Sequence, residues 1–90
     1  MSRPTDARMK ADLTGLHAFL SSRPQSQSRI GVALIVIEQL LGRPLPPQAR
    51  SRSWWTNDPS VAHSRAWLDA GWRVEEMNPR GGVGFVRATA

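Results

Sequence analysis

The amino-acid sequence predicts an α+β fold: three helices and a C-terminal β-hairpin, with a short third strand after the first helix. Three observations predict it. Met9, Leu13, Leu16 and Leu20 fall at spacings of four, three and four, one face of a helix. Asn57-Asp58-Pro59 is a helix start, with Asp58 as cap and proline at the first helical position. Trp72 to Ala88 alternates on either side of Asn78-Pro79-Arg80-Gly81-Gly82, the pattern of two strands and a turn. The 90 residues make one domain over 1–90, with 1–5 and 89–90 expected to be disordered.

The elements follow in order. Thr5 is a candidate cap for the first helix, and Asp6 sits where a carboxylate favours a helix N-terminus. Phe19 flanks the apolar stripe, and Ser21-Ser22-Arg23-Pro24 stops it. Ser28 to Leu34 reads as a short strand that runs straight into a helix ending at Gly42. The continuous apolar run leaves the strand–helix boundary open. Leu34, Ile37 and Leu41 share a helical face, which leaves Ile35 and Val36 as a second buried face or as an exposed patch that pairs with another subunit. Leu45 to Arg50 suits a short helical turn entered through proline.

The third helix is predicted over Pro59 to about Ala70, with Val61, Ser64, Trp67 and Leu68 inward and Gly71 ending it. In the hairpin, Trp72, Val74 and Glu76 fall on one face and Arg73, Glu75 and Met77 on the other. This element order matches a winged helix-turn-helix, with 59–70 as the recognition helix and the hairpin tip as the wing. A fold does not by itself establish what is bound.

Composition narrows the class. There is no cysteine, so neither a disulfide nor a thiolate metal site is available, and stability must come from packing or self-association. The longest nearly apolar run, Ile30 to Ile37, is too short to span a bilayer. Met1 to Asp6 carries an acid and no apolar stretch, unlike a signal peptide, so a cytoplasmic protein is expected. The four tryptophans are Trp54, Trp55, Trp67 and Trp72, with no tyrosine. Trp67 and Trp72 are assigned to the core. One of the adjacent pair should pack inward and the other lie nearer the surface.

The net charge is +5, and every basic residue except Lys10 is arginine, whose planar fork suits phosphates and guanine edges. A genome rich in G and C would also favour arginine, so the distribution says more than the total. From Arg43 to Arg65 four arginines face one acid, Asp58, in the segment that holds the Trp pair. The candidate nucleic-acid-binding residues are therefore Arg50, Arg52, Trp54, Asn57, Ser60, His63 and Arg65, with Arg80 at the wing tip. Each has a plain reading beside it: a solvated face for the arginines, a turn brace for Asn57, a core ring for Trp54.

Trp54-Trp55-Thr56-Asn57 followed by Ala66-Trp67-Leu68-Asp69-Ala70-Gly71-Trp72 resembles a small bacterial domain family of unknown function. Ile37-Glu38, Leu41-Gly42, Leu45-Pro46 and Ala49-Arg50 belong to the same pattern, which covers roughly Ile30 to Arg87. The resemblance implies a shape and no chemistry. One departure is visible: where that family leads one to expect a Ser or Thr cap and acids opening the second helix, this chain has Ala33-Leu34-Ile35-Val36.

Enzyme readings lack an inventory. His17 and His63 sit on different helices, and Asp12 with His17 or Asp69 with His63 is ordinary helix-surface spacing, not a metal-ligand set. No serine stands in a nucleophile elbow. Glu75 and Glu76 are expected on opposite strand faces, which denies them shared acid–base work. The expectation is a DNA-binding module without metal or cofactor, possessing a wing and a reading helix, of the kind found in bacterial or phage transcription regulators. The alternative is a protein-interaction module, a phage-type inhibitor or an adaptor in a defence or restriction system, binding through Ile35, Val36 and Trp54. A third reading is a single-strand or RNA binder that stacks bases on Trp54 or Trp55. A homodimer is compatible with each.

Overall fold

The computed structural model describes residues 13–88. Its order is α1 (Thr14–Ser21), β1 (Arg29–Ala33), α2 (Leu34–Leu41), α3 (Arg65–Leu68), β2 (Trp72–Asn78) and β3 (Gly82–Arg87). Single 3₁₀ turns occupy Pro47–Arg50, Arg52–Trp54 and Ala62–Ser64. The strands form one antiparallel sheet in the order β1-β3-β2. The expected cap and first turn of the first helix, Thr5, Asp6 and Met9, lie outside the described residues, as do 1–5, Asp12 and 89–90.

The inner sheet face packs on the helices. Leu16, Leu20, Ile37, Trp67, Trp72, Val83 and Phe85 are fully buried at the centre. Burying a tryptophan removes about 150–250 Å² from water, so Trp67 and Trp72 carry much of the hydrophobic stabilisation of so small a core. The helices α1 and α2 meet at Gly15, where any Cβ would run into the Leu40 carbonyl, its carbon 2.9 Å away. Only glycine lets the two backbones approach this closely.

The strand–helix boundary left open by the sequence falls at Ala33, which is extended (φ −63°, ψ 148°) and serves as the α2 N-cap without a side-chain cap bond. Gly42 ends α2 in the left-handed region, φ 74°, as its sequence position predicts. Ile37 is buried, whereas Ile35 and Val36 are 60% and 39% exposed, so the second of the two expectations for that pair, an outward-facing patch, is the observed one.

Two expectations are corrected. The helix predicted over Pro59 to Ala70 is much shorter. Asp58 Oδ1 accepts from both Ser60 N–H (2.9 Å) and Ser60 Oγ–H (2.7 Å), and Val61 is extended (φ −89°, ψ 120°). The carboxylate closes a tight turn with its neighbour and caps no helix, so helical structure begins only at Ala62. Of the four residues expected inward, Ser64 and Trp67 are fully buried and Leu68 packs half-buried against the core, whereas Val61, in the extended turn, is half-buried and outside it.

The second correction concerns β2. Its register against β3 slips between Val74 and Glu76, leaving Glu75 as a bulge residue. Strict alternation would have put Glu76 in the core and Met77 in water. The extra residue reverses this, with Met77 buried and Glu76 exposed. Glu75 bonds Arg29 of β1 at 3.0 Å, and Glu76 lies over Gly84, so both carboxylates occupy the outer sheet face rather than opposite faces.

Candidate nucleic-acid interface

The eight residues singled out for nucleic-acid contact divide into three groups. Asn57 is a structural clamp. Its Oδ1 accepts from Val74 N–H (2.8 Å) and from Trp67 Nε1–H (3.1 Å), while its Nδ2–H donates to the Val74 carbonyl (3.0 Å). The amide thus stands in for a residue of a further strand on the free edge of β2 and also satisfies a buried indole. No donor–acceptor pair is left over to read adenine, which corrects the expectation of base contact from Asn57.

His63 and Trp54 form a second group, and they serve each other. Their rings stack at 3.8 Å with 7° between planes. His63 Nε2 lies 2.6 Å from the Trp54 carbonyl, which requires that nitrogen to carry the proton. Trp54 is half-buried and meets Trp55 edge-on at 4.7 Å. Trp55 is the inward member of the pair: buried, stacked on Trp67 at 5.2 Å, and donating its Nε1–H to the Ala49 carbonyl at 2.7 Å. One face of Trp54 is therefore occupied by imidazole, which takes that side of the platform expected for an unstacked base. Ser60 is committed as well, its hydroxyl bonded to Asp58. That hydroxyl and the Ser60 N–H hold the Asp58 carboxyl below the usual carboxylate range.

The arginines form the third group. Arg65 donates to Asp69 one turn on, at 3.2 Å. With Asp58 and Asp69 against Arg65, the exposed side of 58–69 carries one positive charge and two negative ones. The element expected to read a groove is thus short and slightly acidic on its outer side. Arg50, Arg52 and Arg80 are exposed, and none forms an ion pair among the described residues. Arg50 and Arg52 flank Ser51, whose hydroxyl accepts from Ser53 N–H and starts the second 3₁₀ turn. Arg52 lines a trough with Asn78 and Gly81, the residues on either side of the Pro79-Arg80 tip. The tip itself is fixed by Asn78 Oδ1, which accepts from Arg80 N–H at 2.9 Å. Arg52 and the hairpin tip consequently share one end of the sheet.

Two further exposed arginines, Arg43 and Arg73, which the sequence did not single out as candidates, also form no ion pair among the described residues. Sequence reasoning passed over the outer trough, a concavity of about 760 Å³ in which Gly31 of β1 lies opposite Gly84 of β3. Glycine inside a strand was the available signal for it. The trough is no phosphate cradle, because Glu75 and Glu76 share it with Arg52. A smaller groove between α1 and the 62–69 segment brings His17, His63, Arg65 and Asp69 together. His17 Nδ1–H donates there to the Ala66 carbonyl at 3.1 Å, tying the two elements. Among the described residues, no three metal-ligating side chains gather, and no helix is long and apolar enough to cross a membrane.

Compared with known proteins, the chain matches the family model described as domain of unknown function DUF7662 over residues 14–89, and it belongs to that family. Neither a curated protein nor a solved structure matches it.

Proposed function

Starting from that family membership, we propose that the protein is a winged-helix-type nucleic-acid-binding module, not an enzyme, and that it grips duplex DNA by its phosphates. The guanidinium groups of Arg50, Arg52 and Arg80 are the contacts. The observation that carries the reading is the placement of Arg52 beside the hairpin tip that projects Arg80. Added to it is a strand order, β1-β3-β2, in which that hairpin forms a wing. Unpaired guanidiniums meet phosphate without first giving up a carboxylate, and each makes a charge-assisted, two-pronged bond. Phosphate contacts fix position and carry no base information, so the module binds duplexes with little sequence preference unless Arg80 enters a minor groove. Arg65 is a reserve contact, since an exposed pair one turn apart is worth only about 0.3–0.5 kcal/mol. Asp69→Asn releases it and strengthens binding.

A labelled duplex and labelled oligo-dT, titrated with the protein at low salt, test the proposal. Preference for the duplex, with little change in Trp fluorescence, supports it. Tighter binding to oligo-dT with strong quenching replaces it with a stacking mechanism at Trp54, and absence of binding to either removes it.

A second reading rests on a separate observation. Ile35 and Val36 are the exposed large hydrophobic residues among those described, and an apolar pair on a short helix suits a partner protein. Capture of one partner that persists after nuclease treatment and is lost on Ile35→Asp would favour it.

A further inference from the structure

We propose that β1 pairs edge to edge with β1 of a second copy, antiparallel and centred on Gly31, to make a six-stranded sheet across a two-fold axis. The inference is independent of nucleic-acid binding and begins from the unequal treatment of the two sheet edges.

The β2 edge is closed. The Asn57 amide takes both the N–H and the C=O that Val74 turns outward, and the Glu75 bulge breaks the line of the strand next to it. Both are recognised ways of stopping strand addition. Among the described residues the β1 edge has no equivalent. Arg87 N–H donates to the Ser28 carbonyl at 2.9 Å, so Ser28 faces β3. Antiparallel ladders alternate, so Ile30 and Val32 also bond β3 opposite Phe85 and Val83, and Arg29, Gly31 and Ala33 turn their N–H and C=O groups away. Of these, the Arg29 carbonyl accepts from the Gln27 side chain at 3.2 Å and the Ala33 carbonyl opens α2. Gly31 has neither group bonded among the described residues. The strand contains no proline, lysine or bulge.

What fits this edge is the edge itself. With Gly31 opposite Gly31 of a second copy, the two glycines exchange both backbone bonds. Ile30 then faces Val32 of the other copy on the inner side, apolar against apolar. Arg29 faces Ala33, so no arginine opposes an arginine. The two Arg29 residues lie four positions apart along the paired strands, roughly 13 Å at about 3.3 Å per residue, beyond a Debye length of about 8 Å at physiological salt. A shift of two residues in one direction would set Ile30 against itself; in the other it would set Val32 against itself. Either shift bonds each Gly31 to Arg29 or to Ala33 of the other copy, and leaves two outward-facing pairs where the register centred on Gly31 has three. The chain leaves β1 directly into α2, so the exposed Ile35 and Val36 begin two residues past the open edge. An unprotected edge beside exposed apolar side chains is the surface expected where a sheet continues into a neighbour.

Gly31 makes the arrangement testable, because on the two-fold axis each copy meets itself there. A Cβ at Gly31 would meet nothing within 4 Å, so a side chain at this position leaves the protomer fold intact. Sedimentation velocity of the nucleic-acid-free chain over a concentration series is expected to give a species of twice the 10.0 kDa protomer mass. Gly31→Glu and Gly31→Lys should each be monomeric, since like charges then face each other across the axis. An equimolar mixture of the two variants should recover the dimer as a mixed species. A monomeric native chain at every concentration overturns the proposal. So does a dimer that both variants retain, or one abolished by Ile35→Asp and untouched at Gly31, which would move the interface onto α2. Circular dichroism of each variant confirms folding, and the mixing experiment restores a signal that a misfolded variant could not.

Discussion

Replacing Asn57 by leucine is expected to cost more stability than any other single polar substitution in the described residues. Leucine keeps the approximate volume and removes three hydrogen bonds: two to the Val74 backbone and one from Trp67 Nε1. Trp67 is fully buried, so its indole N–H is stranded, at a cost of about 1–3 kcal/mol. The two Val74 groups lie at a half-buried sheet edge and partly recover water, at about 0.5–1.5 kcal/mol each. The sum is about 2–6 kcal/mol, set against a total of roughly 5–13 kcal/mol for a domain of this length. A urea titration followed by Trp fluorescence reads it as a large fall in the midpoint. Thermal melts should drop by about 4–8 °C per kcal/mol. If Asn57 were a base-reading residue instead, stability would hold and DNA sequence preference would change. A loss under about 0.5 kcal/mol, near the noise expected for surface positions, would refute the clamp.

Three more perturbations probe the fold. Gly15→Ala drives a methyl group into the Leu40 carbonyl; the expected net loss in urea is about 1–3 kcal/mol from overpacking, even though alanine favours helix by up to about 1 kcal/mol. Deleting Glu75 removes the bulge, restores simple alternation with Met77 inward, and sacrifices only the exposed Arg29 pair, so stability should change by under about 1 kcal/mol; a loss several times larger would mean the bulge itself is needed. Ser60→Ala withdraws the hydroxyl that lowers the Asp58 carboxyl, so its titration midpoint by carboxyl-carbon NMR should rise toward the ordinary range. The sign follows from linkage: a depressed folded pKa adds stability that is complete above the unfolded pKa and is lost as pH falls through the folded one. Acid melts of the native chain and Ser60→Ala should therefore converge at low pH.

Local physics was legible in the sequence. The Gly42 helix end, the proline-entered turn at Pro47 and the hairpin about Pro79 all depend on residues within a turn or two of each other. What escaped depends on distant partners or on competition between neighbours. Asp58 could cap a helix or bond Ser60, and nothing in the spacing decides between them; the Ser60 hydroxyl adds a second bond to the turn. Asn57 acts on Val74, seventeen positions away, so its role is invisible to any local pattern. The bulge at Glu75 becomes legible only when Met77 and Glu76 are weighed together, because one extra residue is what sends the thioether inward and the carboxylate out. Of the arginines, position alone separated Arg50, Arg52 and Arg80 from Arg65 and Arg29, which acids occupy, and from Arg87, whose guanidinium bonds the Gln27, Pro24 and Arg23 carbonyls and lies 4.2 Å over Trp72.

The salt dependence of duplex affinity tests the central claim most directly. Three guanidiniums on three phosphates predict that log affinity falls against log salt with a slope of about −2.7. Each single change among Arg50→Ala, Arg52→Ala and Arg80→Ala should flatten that slope by about 0.9, and the triple variant should bind duplex only marginally while melting as the native chain does. A native slope near zero, or a triple variant with the native slope, would contradict the account.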